Sequence, residues 1–169
     1  MPGSSLWLLP PARTHPLHDV LATLIARTLP ARFPHASSST DPRVAPHFFP
    51  PHVTLTSGIA PDRYLLAGED GRRGEGPQAW LEGVLRGLEE WREEFGPHVS
   101  LMYGDVPIGE QTLKEITAVV REAGVNLGGE EGADGKGWDG WDGWDGGVVW
   151  LVPTDKPMAE WKPIATVEL

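Results

Sequence analysis

The chain of 169 residues contains no cysteine. That excludes a disulfide framework, a thiol nucleophile and any cysteine-ligated zinc site. Long hydrophobic runs are also missing, and nothing approaches the roughly 20 apolar residues that a membrane-spanning helix needs. The run from Ser5 to Leu9 is too short for a signal-peptide core and is stopped by Pro10 and Pro11. Basic residues are scarce: Lys plus Arg number 14 against 24 Asp plus Glu, a formal charge of −10. Surfaces that grip long RNA or DNA through the phosphate backbone are usually basic, so that class of partner is disfavoured. A small phosphorylated ligand held by a few contacts fits the charge balance. The expectation is a monomer without a membrane span, in the cytoplasm, with Golgi association as the alternative.

What is present is an ordinary globular composition, 40% hydrophobic and 22% charged, with 21 glycines and 17 prolines that promise many turns. The length suits a single domain over residues 1–169. Ser5 to Leu9 reads as a buried strand. Leu17, Val20, Leu21, Leu24, Thr28 and Leu29 recur at helical spacing, with Pro16 suited to the first turn. Ala36 to Pro51 reads as a loop leading into a β-branched strand from His52 to Gly58. Ala60 to Gly76 reads as an exposed loop.

A second helix opens at Pro77 with Trp80, Leu81, Val84, Leu85, Leu88 and Trp91 on one face. His98 to Gly104 reads as another strand. A third helix spans about Glu110 to Glu122, with Leu113, Ile116 and Val120 turned inward. A low-complexity loop at about 124–147 writes Trp-Asp-Gly three times, too short a unit to pack on itself. Val148 to Val152 and Pro163 to Leu169 close the chain as strands, the latter at an edge. The order of elements predicts an α+β fold with helices against antiparallel sheets.

Two strings carry the chemistry. Pro51-His52-Val53-Thr54-Leu55 and Pro97-His98-Val99-Ser100-Leu101 are near copies. Residues i and i+2 of a strand share a face, so each string presents an imidazole beside a hydroxyl, with Val and Leu turned toward the core. Two such strands brought together would surround one pocket with two imidazoles and two hydroxyls. A neutral imidazole can take a proton from water while a protonated one gives a proton to a leaving oxygen, and both states are accessible near pH 7. The hydroxyls of Thr54 and Ser100 can donate to phosphoryl oxygens. That combination suits hydrolysis of a cyclic phosphate without a metal or other cofactor.

PHVTLTSGI and PHVSLMYGD resemble the paired signatures of the two-histidine phosphoesterases. SLWLLPP, the GG-VVWLV-PTD string and WKPIATVEL are similar to the fungal 2′,3′-cyclic-nucleotide 3′-phosphodiesterase family within that group. The resemblance implies a bilobal fold in which antiparallel sheets line a central cleft and each lobe contributes one motif. It implies hydrolysis of nucleoside 2′,3′-cyclic phosphates to 2′-phosphates, or of ADP-ribose 1″,2″-cyclic phosphate, a by-product of tRNA splicing. It assigns His52 and His98 to the catalytic pair and Thr54 and Ser100 to the phosphate. Tyr103 corresponds to an aromatic near the ligand, and Trp7 is a candidate for stacking on the base.

This chain departs from the pattern in one respect: only 45 residues separate the two histidines, and the extra strands that family members carry there are missing. That short segment makes a non-catalytic remnant of the family one alternative; another keeps the site but acts on RNA ends, against which the acidic charge counts. The remaining histidines, His15, His18, His35 and His47, sit beside prolines or at a helix start and read as surface residues. No metal site is expected, since no third ligand accompanies the motif histidines. Asp139, Asp142 and Asp145 lack the alternation of a calcium loop.

Overall fold

The structure is a computed structural model, and it describes residues 3–11, 15–44, 49–65, 76–86, 98–125 and 143–169. The chain order is β1 (Ser4–Leu9), α1 (Pro16–Thr23), a π-helical turn (Leu24–Thr28), α2 (Leu29–Arg32), β2 (Val53–Ile59), α3 (Asp62–Leu65), α4 (Gly76–Leu85), β3 (His98–Val99), α5 (Glu110–Glu122), β4 (Val148–Pro153), a 3₁₀ turn (Met158–Glu160) and β5 (Ala165–Glu168). The α+β class is as the sequence predicts. The described strands form a single five-stranded sheet in the order β3-β2-β1-β4-β5, and every pairing is antiparallel.

β1 lies at the centre because nearly all of its residues are apolar or small and can be covered on both faces. On one face Leu6 and Leu8 pack with Val149 and Leu151 against Leu81 of α4 and Tyr64 of α3. On the other, Trp7 and Leu9 pack with Trp150, Val152 and Trp161. β5 is the edge strand beyond β4, as its position at the end of the chain suggested.

Two elements differ from expectation. Part of the stretch read as an exposed loop is α3, which buries Tyr64 and bonds its hydroxyl to Ser4 Oγ at 2.8 Å. Its Asp62-Arg63 pair is polar enough to hide a one-turn helix inside a charged segment. In α5 the buried stripe is Ile116, Val119 and Val120, while Leu113 is 55% exposed. The i, i+3, i+4 spacing is kept, but rotated away from Leu113. Leu88 and Trp91, expected on the second helix, and His47 lie outside the described residues.

The first helix runs from Pro16 to Arg32 through the π-helical turn. His15 caps it, its Nδ1 accepting from the Leu17 amide at 3.3 Å. Pro30 has no N–H to offer the preceding turn, so the ladder must adjust just before it, where the π-turn sits. This helix and α5 bury Leu17, Leu21, Leu24 and Leu29 against Ile116, Val119 and Val120. Leu101 and Met102 join that cluster, which ties the segment after His98 to the helical layer. Among the described residues, no helix is long and apolar enough to cross a membrane.

Candidate active site

β2 and β3 are hydrogen-bonded neighbours, with Val53 opposite Val99 and Thr54 opposite His98. The two motifs therefore run antiparallel about the Val53–Val99 pair. Thr54 of the first faces His98 of the second. Directly opposed residues of an antiparallel pair share a face, with side chains in contact range. On the far side of β2, Thr54 is opposite Trp7, and Trp7 is opposite Trp150. His98, Thr54, Trp7 and Trp150 thus form one row across the sheet.

The resemblance implied two lobes, each with its own sheet and motif. Instead, the described strands carry both motifs side by side in one sheet. The strand expected from His98 to Gly104 is only two residues long. Beyond it Leu101 and Met102 turn away to the helical core. Val99, expected to face the core, is 37% exposed because β3 is the sheet edge.

His52 is fully buried and Thr54 nearly so. The His52 imidazole is stacked on the Trp7 indole, with centroids 3.8 Å apart and planes 15° from parallel. Phe49 meets it edge-on at 5.9 Å. Nδ1 lies 2.7 Å from the Pro50 carbonyl oxygen, which can only accept, so Nδ1 carries the proton and Nε2 keeps its lone pair. Nε2 is buried and, among the described residues, has no hydrogen-bond partner. Burial pushes the pKa of His52 down to about 4, the Pro50 contact opposes this, and the nearby charge of His98 adds to the depression. At neutral pH His52 is therefore an uncharged imidazole presenting a bare Nε2. His98 is exposed, as expected of a group that meets solvent or ligand at a sheet edge.

Trp7 is not the open platform the sequence suggested. It is 2% exposed, on the central strand, and the imidazole already occupies its stacking position. Tyr103 is half-buried and touches Phe49 edge-on at 4.9 Å and Trp161 at 6.2 Å. Trp161 in turn meets Trp7 edge-on at 5.5 Å. Five rings therefore close a circuit: His52, Trp7, Trp161, Tyr103, Phe49 and back to His52.

Trp161, Phe49 and Asp105 were not singled out from the sequence. Trp161 lies in the C-terminal WKPIATVEL string and Phe49 just before the Pro-Pro-His of the first motif, so proximity to quoted motifs was the available signal. Asp105 ends the PHVSLMYGD string. It accepts from Ser39 Oγ at 2.7 Å and Thr40 Oγ1 at 2.9 Å, while its amide donates to the Ser38 carbonyl at 3.1 Å. The Ser39 hydroxyl, then the Thr40 amide and hydroxyl, hold its carboxyl below the usual range. Gly104 lies so close to this loop that a Cβ would collide with the Ala36 carbonyl oxygen. The segment bearing Ser100 and Tyr103 is thus clamped by the 36–41 loop on one side and the helical core on the other.

A groove of about 510 Å³ lies elsewhere, between the first helix and α5, lined by Asp19, Arg32 and Glu122 among others. Of the other histidines, His18 pairs with Asp19 at 3.1 Å on the surface and His35 is exposed. Among the described residues, no three His, Asp or Glu side chains are grouped so as to hold a metal ion.

A family model described as cyclic phosphodiesterase-like protein matches residues 1–90 and again 83–169. A Neurospora crassa protein named 2′,3′-cyclic-nucleotide 3′-phosphodiesterase is 41% identical over 223 aligned positions, covering 98% of this chain and 98% of that protein. A Phaeosphaeria nodorum protein of the same name is 32% identical over 222 positions, covering all of both chains. Each alignment is longer than the 169 residues here, so both relatives carry residues this chain lacks. The two matched stretches meet at residues 83–90, between the histidine motifs. The chain belongs to the cyclic phosphodiesterase-like protein family.

Proposed function

We propose that this chain hydrolyses nucleoside 2′,3′-cyclic phosphates to nucleoside 2′-phosphates, with His52 as general base and His98 as general acid. The observation that carries the reading is the antiparallel pairing of the two motifs, with Thr54 opposite His98 and the neutral imidazole of His52, two residues before Thr54, near enough to His98 to feel its charge. Water attacks phosphorus and loses its proton to His52 Nε2. The bond from phosphorus to the 3′ oxygen breaks, and His98 gives that oxygen a proton. Thr54 and Ser100 donate to the non-bridging oxygens, whose charge must be held through the five-coordinate transition state.

His52 suits the base role because Pro50 fixes its tautomer and burial keeps it neutral; an acid must start protonated, which burial opposes. Every proton in this scheme is moved by a side chain, so the reaction is proposed to run without a metal. ADP-ribose 1″,2″-cyclic phosphate has the same strained five-membered ring and is proposed as a second substrate, which would link the activity to tRNA splicing by-products. The enzyme is proposed to act as a cytoplasmic monomer.

Incubation with adenosine 2′,3′-cyclic phosphate in EDTA tests the scheme. The expected product is adenosine 2′-phosphate alone. His52→Ala and His98→Ala should each abolish turnover while the protein stays folded. Near-normal rates in either variant would refute the two-histidine mechanism, and loss of activity in EDTA would refute metal independence. A second reading, a family member that binds without turnover, is favoured by the complete burial of His52 Nε2. Absence of turnover by well-folded protein would establish it.

A further inference from the structure

The ring circuit around His52 has an inner and an outer part. His52, Trp7 and Phe49 are buried, whereas Tyr103 and Trp161 are half-buried and border solvent. Trp161 is held firmly for a surface residue. Its Nε1 donates to the Lys156 carbonyl at 2.8 Å. The 3₁₀ turn before it is anchored by buried Met158, whose amide donates to the Arg43 carbonyl at 2.8 Å. Among the described residues, its two ring contacts are both edge-on, at 70° to Trp7 and 79° to Tyr103. No described ring is stacked parallel on it. The indole is thus fixed in orientation, partly open, and one ring away from the imidazole. Among the described residues the buried His52 Nε2 has no partner, as expected of an atom that a polar ligand group would complete.

We propose that Trp161 is the nucleobase-stacking residue of the site, and that it, rather than Trp7, sets the preference for nucleotides over cyclic phosphates without a base. The inference rests on the reading of the site as a cyclic-nucleotide phosphodiesterase. A ligand that brings its phosphate to the paired imidazole and hydroxyl groups must pass the outer rings, and a flat base can replace edge-on contacts there with a parallel one. Every base has a π-face, so such a wall tolerates all four bases and grips purines most strongly. Trp7 cannot serve, because the imidazole already covers its ring.

The test compares two substrates in the full-length protein: adenosine 2′,3′-cyclic phosphate and glycerol 1,2-cyclic phosphate, which has the reactive ring but no base. Trp161→Leu keeps apolar bulk and removes the π-face. It should lower kcat/KM for the adenosine substrate by roughly 10- to 100-fold, mainly through KM, the scale for losing one base–aromatic stack. Hydrolysis of the glycerol substrate should fall much less, so that the ratio of the two kcat/KM values drops about 10-fold or more, and a thermal melt reports that the variant is folded. Trp161→Phe should restore most of the lost preference, and uridine 2′,3′-cyclic phosphate should suffer less than the adenosine compound. Equal losses on both substrates would show Trp161 to be a structural support and overturn the proposal, as would no loss on either. If the wild type turns over neither substrate, the catalytic reading fails first, and binding of adenosine 2′-phosphate by calorimetry decides the inference alone: Trp161→Leu must weaken it and Trp161→Phe must not.

Discussion

Burial of His52 makes stability depend on pH in a way that one substitution can isolate. In the folded chain its pKa is pushed down to about 4, against an ordinary histidine value near 6.5 in the unfolded chain. Between these values the unfolded state binds a proton that the folded state refuses. Stability from this residue is therefore fully present above about pH 6.5 and is lost as pH falls toward about 4. At 1.36 kcal/mol per pH unit the loss by pH 4.5 is roughly 2–3 kcal/mol. That is a large part of the 5–15 kcal/mol typical of a domain. Carboxylates also titrate in this range, so the measurement is a difference. Urea unfolding of the wild type and of His52→Asn is followed at pH 7.5, 6.0 and 4.5. Asparagine keeps an amide N–H near the Nδ1 position, facing the Pro50 carbonyl, but carries no titratable group. The variant starts less stable at pH 7.5, having lost ring contact with Trp7, and its stability should fall less with acidification, so the two curves converge. Parallel curves would mean that His52 titrates normally, and the sealed, neutral imidazole described above would be wrong.

Three further outcomes follow from particular contacts. The acid limb of kcat/KM should lie near pH 4 rather than 6.5, because the base becomes protonated only there; a pH–rate profile with its acid limb at ordinary histidine values would exclude His52 as the base. Gly104→Ala forces a Cβ into the Ala36 carbonyl, so thermal denaturation should show a loss of about 1–3 kcal/mol, and kcat/KM should drop as Ser100 and Tyr103 shift. Thr54→Val and Ser100→Ala should each slow turnover by roughly 10²–10³, the scale for removing one oxyanion donor, with melting temperatures little changed.

Much of the scaffold was legible because its signals are local. The bounds of α5 follow from apolar spacing and a glycine at its start, and β1 and β4 from short apolar runs closed by proline or polar residues. The doubled histidine string pointed to paired imidazoles because strand alternation is a property of the backbone itself. Less legible was which face of α5 is buried, since Leu113 and Val119 are both apolar and only the neighbouring helix decides between them. α3 was hidden because a single turn carries too little periodicity to register. Trp161 and Phe49 are ordinary aromatics in the sequence, and their place beside His52 depends on chain segments that meet only on folding.

The sequence alone determined which groups are available: two imidazoles, each two residues before a hydroxyl, no thiol, and a net negative charge. Tertiary structure decided how they meet. Pairing of β2 with β3 crosses the motifs so that Thr54 faces His98. Enclosure by Trp7 and Phe49, with the Pro50 carbonyl on Nδ1, keeps His52 a neutral imidazole while leaving His98 in contact with solvent. The physical reason is that a protonation state depends on solvation and nearby charge, and both are set by neighbours distant along the chain.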